Sequence, residues 1–244
     1  MATTPVRIEG DLDGRSRWMW LVKWLLAIPH YIILFFLWVA FLLLTVVAFV
    51  GILINARYPG WIFRFNLGVL RWSWRVDYYG YAVLGTDRYP PFTLGAAEDY
   101  PARLYIAEPG RLSRGLVLVK WWLLAIPHYL VLMAFLGGTT FVVMDGGDKG
   151  YGAVAAEAAA SGIGLTTVLL LIVAVALLFT GRYPQGLFDL LMGIARWAIR
   201  VGAYVALMTD TYPPFRLDQG GREPLAQDPQ SGADTPPRAP SGTV

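Results

Sequence analysis

The sequence contains two copies of one unit, and this duplication constrains the fold more than any other feature. Four short motifs occur twice in the same order. They are W-L-L-A-I-P-H-Y, within 23–31 and 121–129; R-Y-P, at 57–59 and 182–184; R-W-x-x-R-V, at 71–76 and 196–201; and T-D-x-Y-P-P-F, at 86–92 and 209–215. Four motifs in one order indicate an internal repeat, so both halves should adopt the same fold. We expect a first unit at 1–98, a second at 99–217 and a disordered, Gly- and Pro-rich tail at 218–244.

The composition is that of a membrane protein. Hydrophobic residues make up 56% and charged residues 15% of the chain, whereas charged residues account for about a quarter of a soluble domain. Leu25 to Ile54 has no Asp, Glu, Lys or Arg and a single histidine, His30, and Leu165 to Phe179 has no titratable side chain. Apolar runs near or above about 18 residues are typical of membrane spans. A pI of about 9.2 fits Lys and Arg in cytoplasmic segments, and we expect no nucleic-acid partner.

The spacing of the motifs predicts a helical hairpin in each unit. His128 follows His30 by 98 residues but Arg182 follows Arg57 by 125, so the second unit has 27 extra residues between these motifs, at about 136–162. This insert contains four charged residues, and charge is costly at the middle of a bilayer. The equivalent point in the first unit, Leu37-Trp38, should then lie at a membrane surface.

The predicted fold is therefore an α-helical integral membrane protein with two pseudo-symmetric hairpins and four spans. The spans are expected at about 18–37, 38–54, 116–136 and 163–180. Outward-pointing hairpins would leave 19 of the 20 Lys and Arg residues on one side, which predicts a multi-pass cell-membrane protein with both termini in the cytoplasm. A competing interpretation makes 18–30 an interfacial helix followed by a single span that ends at Ile54.

A helix of different character follows each hairpin, at about 60–77 and 186–201. In the first unit Arg64, Arg71 and Arg75 lie within about 40° of one another on a helix, flanked by aromatic residues. Such a helix suits the headgroup layer of a membrane; alternatively, it packs on the ends of the spans with its arginines in solvent. We expect seven arginines to bind lipid or a partner: Arg57, Arg64, Arg71, Arg75, Arg182, Arg196 and Arg200.

Short extended segments bracket each unit and predict a small cytoplasmic β element. These segments are Val6-Arg7-Ile8, Arg103 to Ile106 and the two Y-P-P-F motifs. Residues before proline avoid the helical region, which keeps the last two extended.

The arrangement L-L-x-x-I-P-H, then T-G-R-Y-P-x-G-L-F-D, R-W-x-x-R-V and T-D-x-Y-P-P-F resembles DUF4389, a family of bacterial membrane proteins of unknown function. The match is clearest at 123–128, 180–189 and 209–215, and both halves share it. The resemblance implies an integral membrane protein and brings no reaction or catalytic residues. The first unit departs from the pattern, since Arg64 stands where the second unit has Asp189.

His30 and His128 are the only histidines of the chain and are the candidates for a cofactor site. One hypothesis is that the two units bring them together to bind haem or a divalent metal. The alternative is structural: each follows a proline, which frees a backbone carbonyl four residues earlier that the imidazole could satisfy.

These observations predict a non-enzymatic membrane protein that binds lipids or a partner membrane protein, as a scaffold or accessory subunit. No metal site or catalytic residue is expected, and the absence of cysteine excludes thiol chemistry. A small-solute or ion transporter is one alternative, because paired repeats often build a site at their interface. A haem- or metal-binding redox subunit is another.

Overall fold

A computed structural model describes residues 5–14, 16–136 and 164–222. The elements are β1 (Val6–Gly10), α1 (Trp20–Asn55), α2 (Gly60–Tyr79), β2 (Ala102–Ile106), α3 (Arg114–Val119), a π-helical turn (Lys120–Leu124), α4 (Ile126–Leu136), α5 (Leu165–Thr180) and α6 (Gln185–Val205). Most of the predicted insert (137–162) and of the predicted disordered tail (223–244) lies outside the described residues.

Helix α1 is one continuous helix of 36 residues, so the hairpin predicted for the first unit is wrong. At 1.5 Å per residue it is about 54 Å long. No glycine or proline stands at Leu37-Trp38 to end the helix. The break after His30 in the competing interpretation is absent too, because the helix continues through Pro29.

Most of the surface of α1 is apolar and exposed. Its buried residues form one seam with a heptad spacing: Lys23, Ala27, His30, Leu34, Phe41, Ala48 and Ile52. Only 17% of its most apolar 18-residue window is buried. Among the described residues it is the single helix long and apolar enough to cross a membrane by itself. The pair 114–124 and 126–136, bent by 41°, would be a second if it counts as one span.

The helices of the second unit run opposite to α1. The start of α3 lies at the end of α1, since Arg114, the first residue of α3, donates a hydrogen bond to the carbonyl of Ile54 at 2.6 Å. The end of α5 lies at the start of α1, because Gly181, which follows α5, lies beside the side chain of Arg17. The two ends of α1 are about 50 Å apart, so α3 to α5 cannot double back on themselves. The hairpin predicted for the second unit is therefore also wrong.

Helices α2 and α6 form at the predicted positions, each beginning directly after a proline that ends the R-Y-P motif. One face of α2 packs on α1, through Asn66 and Trp72. The opposite face contacts the strands, where Arg71 bonds to Leu104 and Trp74 to Glu9. The fold therefore has three layers: the long apolar helices, then α2 and α6, then the strands.

The predicted β element is present as two strands that lie between the two units, but the Y-P-P-F motifs predicted to belong to it form no strand. Strand β1, which precedes the first unit, pairs antiparallel with β2, which precedes the second. The central pair, Ile8 with Leu104, occupies equivalent positions in the two copies. Antiparallel strands paired in this way are related by a two-fold axis perpendicular to the sheet.

Other contacts obey the same axis. Tyr58 donates a hydrogen bond to the carbonyl of Ala206, and Tyr183 to that of Val83. Arg71 bonds to the carbonyl of Leu104, and Arg196 to that of Ile8. In each pair, a residue of one copy contacts the other copy as its equivalent does in return, which is the signature of a two-fold interface.

Candidate functional site

Each unit contains a buried lysine that is paired with the aspartate of T-D-x-Y-P-P-F. In the first unit the Nζ atom of Lys23 lies 2.9 Å from Oδ1 of Asp87 and donates to the carbonyl of Thr86 at 2.7 Å. The ammonium group also lies 4.9 Å from the centre of the Tyr79 ring. Lys23 is 1% exposed; its charge is therefore stabilised by protein groups rather than by water.

The second unit repeats this arrangement despite a different spacing. Lys120 lies 2.8 Å from Asp210 and 2.9 Å from the carbonyl of Thr209. The segment from Lys120 to His128 has one residue more than the segment from Lys23 to His30. The π-helical turn at Lys120–Leu124 absorbs the extra residue, because a π-turn is a local bulge in a helix. Lysine and histidine thus stay on one face.

His30 lies in an aromatic pocket formed by its own unit. Its ring stacks on Phe92, with the centroids 4.0 Å apart, and lies against Tyr89. The indole Nε1–H of Trp72 donates to Nδ1 at 3.0 Å. Nδ1 is therefore an acceptor, and a neutral ring carries its proton on Nε2.

His128 occupies the equivalent pocket, stacked on Phe215 at 4.2 Å and tilted against Tyr212 and Trp197. Here neither ring nitrogen has a hydrogen-bond partner among the described residues, and the Nε1 atom of Trp197 also lacks one there. An apolar cavity of about 180 Å³ lies beside these rings. The two pockets thus share their ring packing but differ in polar contacts.

Pro29 and Pro127 free the carbonyls of Leu25 and Leu123, and neither imidazole bonds to them. Tyrosines bond to the carbonyls next to these. Tyr89 donates to the carbonyl of Leu26 at 3.1 Å, and Tyr212 to that of Leu124 at 3.4 Å. No ring contact or hydrogen bond joins His30 to His128 in the described part of the chain, and no group of three or more metal-ligating side chains occurs there. Binding of haem or a metal by these histidines stays a prediction.

Four of the seven predicted lipid-binding arginines point into the protein. Arg75 binds the carbonyls of Gly95 and Thr93, and burial lowers the pKa of Arg75 to about 10. Arg71 bonds to β2, Arg196 to β1, and Arg200 pairs with Asp218 at 2.6 Å. Arg75 and Arg196 each satisfy several carbonyls at once. Binding of lipid or a partner by these four would require them to give up these contacts.

The other three arginines are exposed. Arg57 and Arg182 each follow the end of a long apolar helix, and Arg64 lies in the first turns of α2. The preceding residues, Ala56 and Gly181, close the helices in the left-handed conformation. The lipid- or partner-binding role of these arginines stays a prediction, and their positions are compatible with it.

The lysine–aspartate pairs were not foreseen from sequence. The motif W-L-L-A-I-P-H-Y sets Lys23 against Trp121 when the two copies are superimposed by sequence, and Lys120 is then one position out of register. A lysine next to a long apolar run was the available signal, because such a charge needs a partner. The two aspartates accept hydrogen bonds from the distant backbone N–H groups of Ser16 and Ser113, while Thr86 and Thr209 close the local turns.

Comparison with known proteins identifies the family. A model of the domain of unknown function DUF4389 matches residues 17–93 and 154–216. Neither a curated protein nor a solved structure matches the chain. The first match spans Lys23, His30 and Asp87, whereas the second begins after Lys120 and His128, whose equivalence is shown by the geometry. With more than half of its length matched, the chain belongs to the DUF4389 family.

Proposed function

We propose that this protein is a non-enzymatic integral membrane protein that binds membrane lipids and serves as a scaffold or accessory subunit for a partner membrane protein. The observation that carries the proposal is the exposed apolar surface of α1. Its side chains include Phe35 (64% exposed), Phe36 (67%) and Leu43 (64%). A surface of this extent would aggregate in water, whereas a bilayer would cover it.

The second unit supports the same proposal. Leu130, Leu171 and Phe179 are at least 60% exposed on α4 and α5, so both copies present apolar surface. The two lysine–aspartate pairs join each T-D-x-Y-P-P-F motif to its helix. This use of the lysines and aspartates favours a structural role over a reaction.

Membrane integration is tested by fractionation of cells that express the full chain. We expect the protein to stay in the membrane pellet after washing with alkaline carbonate and to be released by detergent. Release by carbonate alone would contradict the proposal, since that wash removes proteins held only by surface charge.

The lipid-binding part is tested by the exposed arginines. Replacing Arg57, Arg64 and Arg182 together with glutamine should reduce the anionic phospholipid that copurifies in mild detergent, measured by lipid mass spectrometry. Arg7→Gln is the matched control, because this side chain is 52% exposed but lies on the sheet. An equal loss in both variants, or no loss in either, would contradict a role for these arginines.

The accessory role is tested by purification in mild detergent followed by protein mass spectrometry. We expect one membrane protein to be recovered in a fixed ratio to the chain in repeated preparations. Recovery of the chain alone after crosslinking in intact cells would overturn this part of the proposal.

A further inference from the structure

The two-fold relation between the units restricts how the apolar helices can sit in a bilayer. The start of α1 lies beside the end of α5, and the end of α1 beside the start of α3. The long helices of the two copies are therefore antiparallel, and the axis that relates them is perpendicular to both. That axis is either parallel to the membrane normal or in the membrane plane.

The strands exclude the second orientation. The axis passes between Ile8 and Leu104, so the centre of the sheet lies on it. If α1 crossed the bilayer, the axis would lie in the midplane and would carry the sheet there. The outer face of the sheet bears Arg7, Glu9 and Arg103, joined by ion pairs of 2.5 and 3.5 Å. Charged side chains are strongly unfavourable in hydrocarbon, and there Arg7 (52% exposed) and Arg103 (26%) would face it directly.

The length of the apolar surface of α1 also argues against a helix that crosses the bilayer. Exposed apolar side chains continue along α1 from Leu21 to Ile54, a distance of about 50 Å. A hydrocarbon core is about 30 Å thick. A helix that buried this surface by crossing would need a tilt of roughly 50°, beyond the range of about 0–40° that spans adopt.

We propose, building on the membrane integration proposed above, that α1 and its counterpart α3–α5 lie parallel to the membrane plane in one leaflet. The pseudo-two-fold axis then coincides with the membrane normal. The apolar helices form the face in the lipid, α2 and α6 the middle layer, and the sheet the face in water. The described part of the chain enters the membrane from one side without crossing it.

The side chains at the ends of the long helices fit this orientation. Exposed arginines occur at both ends: Arg17 and Arg182 at one, Arg57 and Arg111 at the other. A crossing helix would place these cations on both sides of the membrane, against the usual bias toward one side. In the plane of one leaflet, all four reach phosphate groups of the same surface.

Tryptophan shows the same distribution. Trp18 (63% exposed) precedes α1, while Trp61 (58%) and Trp121 (48%) lie near its end. Indole rings favour the headgroup level of a bilayer, and this orientation brings all three to that level on one side.

The test uses single cysteines, which the cysteine-free chain allows without background. Arg57→Cys and Arg182→Cys are a matched pair, since they occupy equivalent positions at opposite ends of α1. Each variant is labelled with a membrane-impermeant maleimide in right-side-out and in inside-out vesicles of a bacterial inner membrane. We expect both cysteines to be labelled in the same vesicle preparation and to be protected in the other.

Labelling of Arg57→Cys and Arg182→Cys in opposite preparations would overturn the in-plane orientation. Leu43→Cys, at the middle of the exposed surface of α1, should be protected in both preparations, and its labelling in either would also count against the proposal. Arg111→Cys and Arg17→Cys replace the pair if one variant is not recovered in the membrane. Carbonate extraction of the same vesicles separates the two proposals: released protein contradicts membrane integration, whereas retained protein with opposite labelling contradicts only the orientation.

Discussion

The two copies of the repeat place a lysine beside an aspartate in the same way, although the helices that carry the lysines differ in local geometry. In the first, α1 runs unbroken and His30 follows Lys23 by seven positions. In the second, the equivalent segment has one residue more and contains a π-helical turn. Both lysines nevertheless reach their aspartates within 3 Å. The position of the buried charge is thus maintained, while the helix geometry adjusts to it.

The polar contacts of the histidines differ more than their packing does. Both rings stack on a phenylalanine in nearly parallel planes, at 13° and 11°. Only His30 accepts a hydrogen bond from its tryptophan. Ring packing is therefore the shared feature of the pockets. Four pairs of variants test the comparison between the two copies.

The largest effect should follow loss of a buried charge partner. Asp87→Ala leaves the ammonium group of Lys23 buried without its carboxylate, which costs about 3–5 kcal/mol. Asp210→Ala should cost less, because the side chain of Asp210 is 25% exposed against 17% for Asp87. Thermal unfolding of the detergent-solubilised protein, followed by tryptophan fluorescence, measures both. An unchanged melting temperature in Asp87→Ala would show that the pair does not stabilise the fold.

Deletion of one residue should distinguish the two helices. Removal of Trp122 makes 120–128 identical to the first unit, K-W-L-L-A-I-P-H, and converts the π-turn to α-helix; we expect stability to change by no more than about 1 kcal/mol. Removal of Trp24 rotates Lys23 by about 100° relative to His30 and should lower the melting temperature as Asp87→Ala does. Equal effects of the two deletions on the melting temperature would contradict the inference that the π-helical turn absorbs the extra residue of the second unit.

Replacement of histidine by phenylalanine retains the ring stack and removes the ring nitrogens. His30→Phe leaves the buried Nε1–H of Trp72 without its acceptor and should cost about 1–3 kcal/mol. His128→Phe breaks no described hydrogen bond and should have little effect or raise the melting temperature. A larger loss for His128→Phe would indicate that this imidazole has a partner or ligand, and metal analysis or a haem absorbance spectrum of the purified protein would identify which.

The smallest effects should come from the helix ends and have opposite signs. Ala56 closes α1 with φ 53°, and Gly181 closes α5 with φ 66°. Ala56→Gly relieves the left-handed strain of a residue with a Cβ and should stabilise by about 0.5–1 kcal/mol. Gly181→Ala adds that strain and places a Cβ 2.7 Å from Nε of Arg17, so it should destabilise. The same thermal measurement checks both signs.

The sequence predicted the local elements better than their arrangement. The duplication, α2, α6 and the strands follow from motifs whose residues act locally, such as the prolines before each helix. The hairpins were inferred from the position of a polar insert, on the assumption that a point at the membrane surface must be a turn between spans. In a helix that lies along a leaflet every residue is near the surface, so a charged insert at its middle requires no turn.

The buried contacts were missed for a different reason. The spacing of the arginines on α2 predicts a ridge, but a sequence cannot show that Arg71 bonds to a backbone carbonyl of a strand from the other copy. Two such hydrogen bonds, Arg71 to Leu104 and Arg196 to Ile8, join residues that are distant in the chain. Every residue has a backbone carbonyl, so the type of residue does not indicate which carbonyl accepts.

Each copy supplies a strand that pairs with the other copy and accepts a hydrogen bond from its arginine. This has a consequence for any chain that carries a single copy of the repeat. One copy alone would hold an arginine without its carbonyl and a strand without its neighbour, and a second identical chain would supply both through the same symmetric contacts. A polypeptide with a single copy should therefore associate as a homodimer, and the two halves of the present chain, produced as separate polypeptides, should find each other and restore the complete molecule.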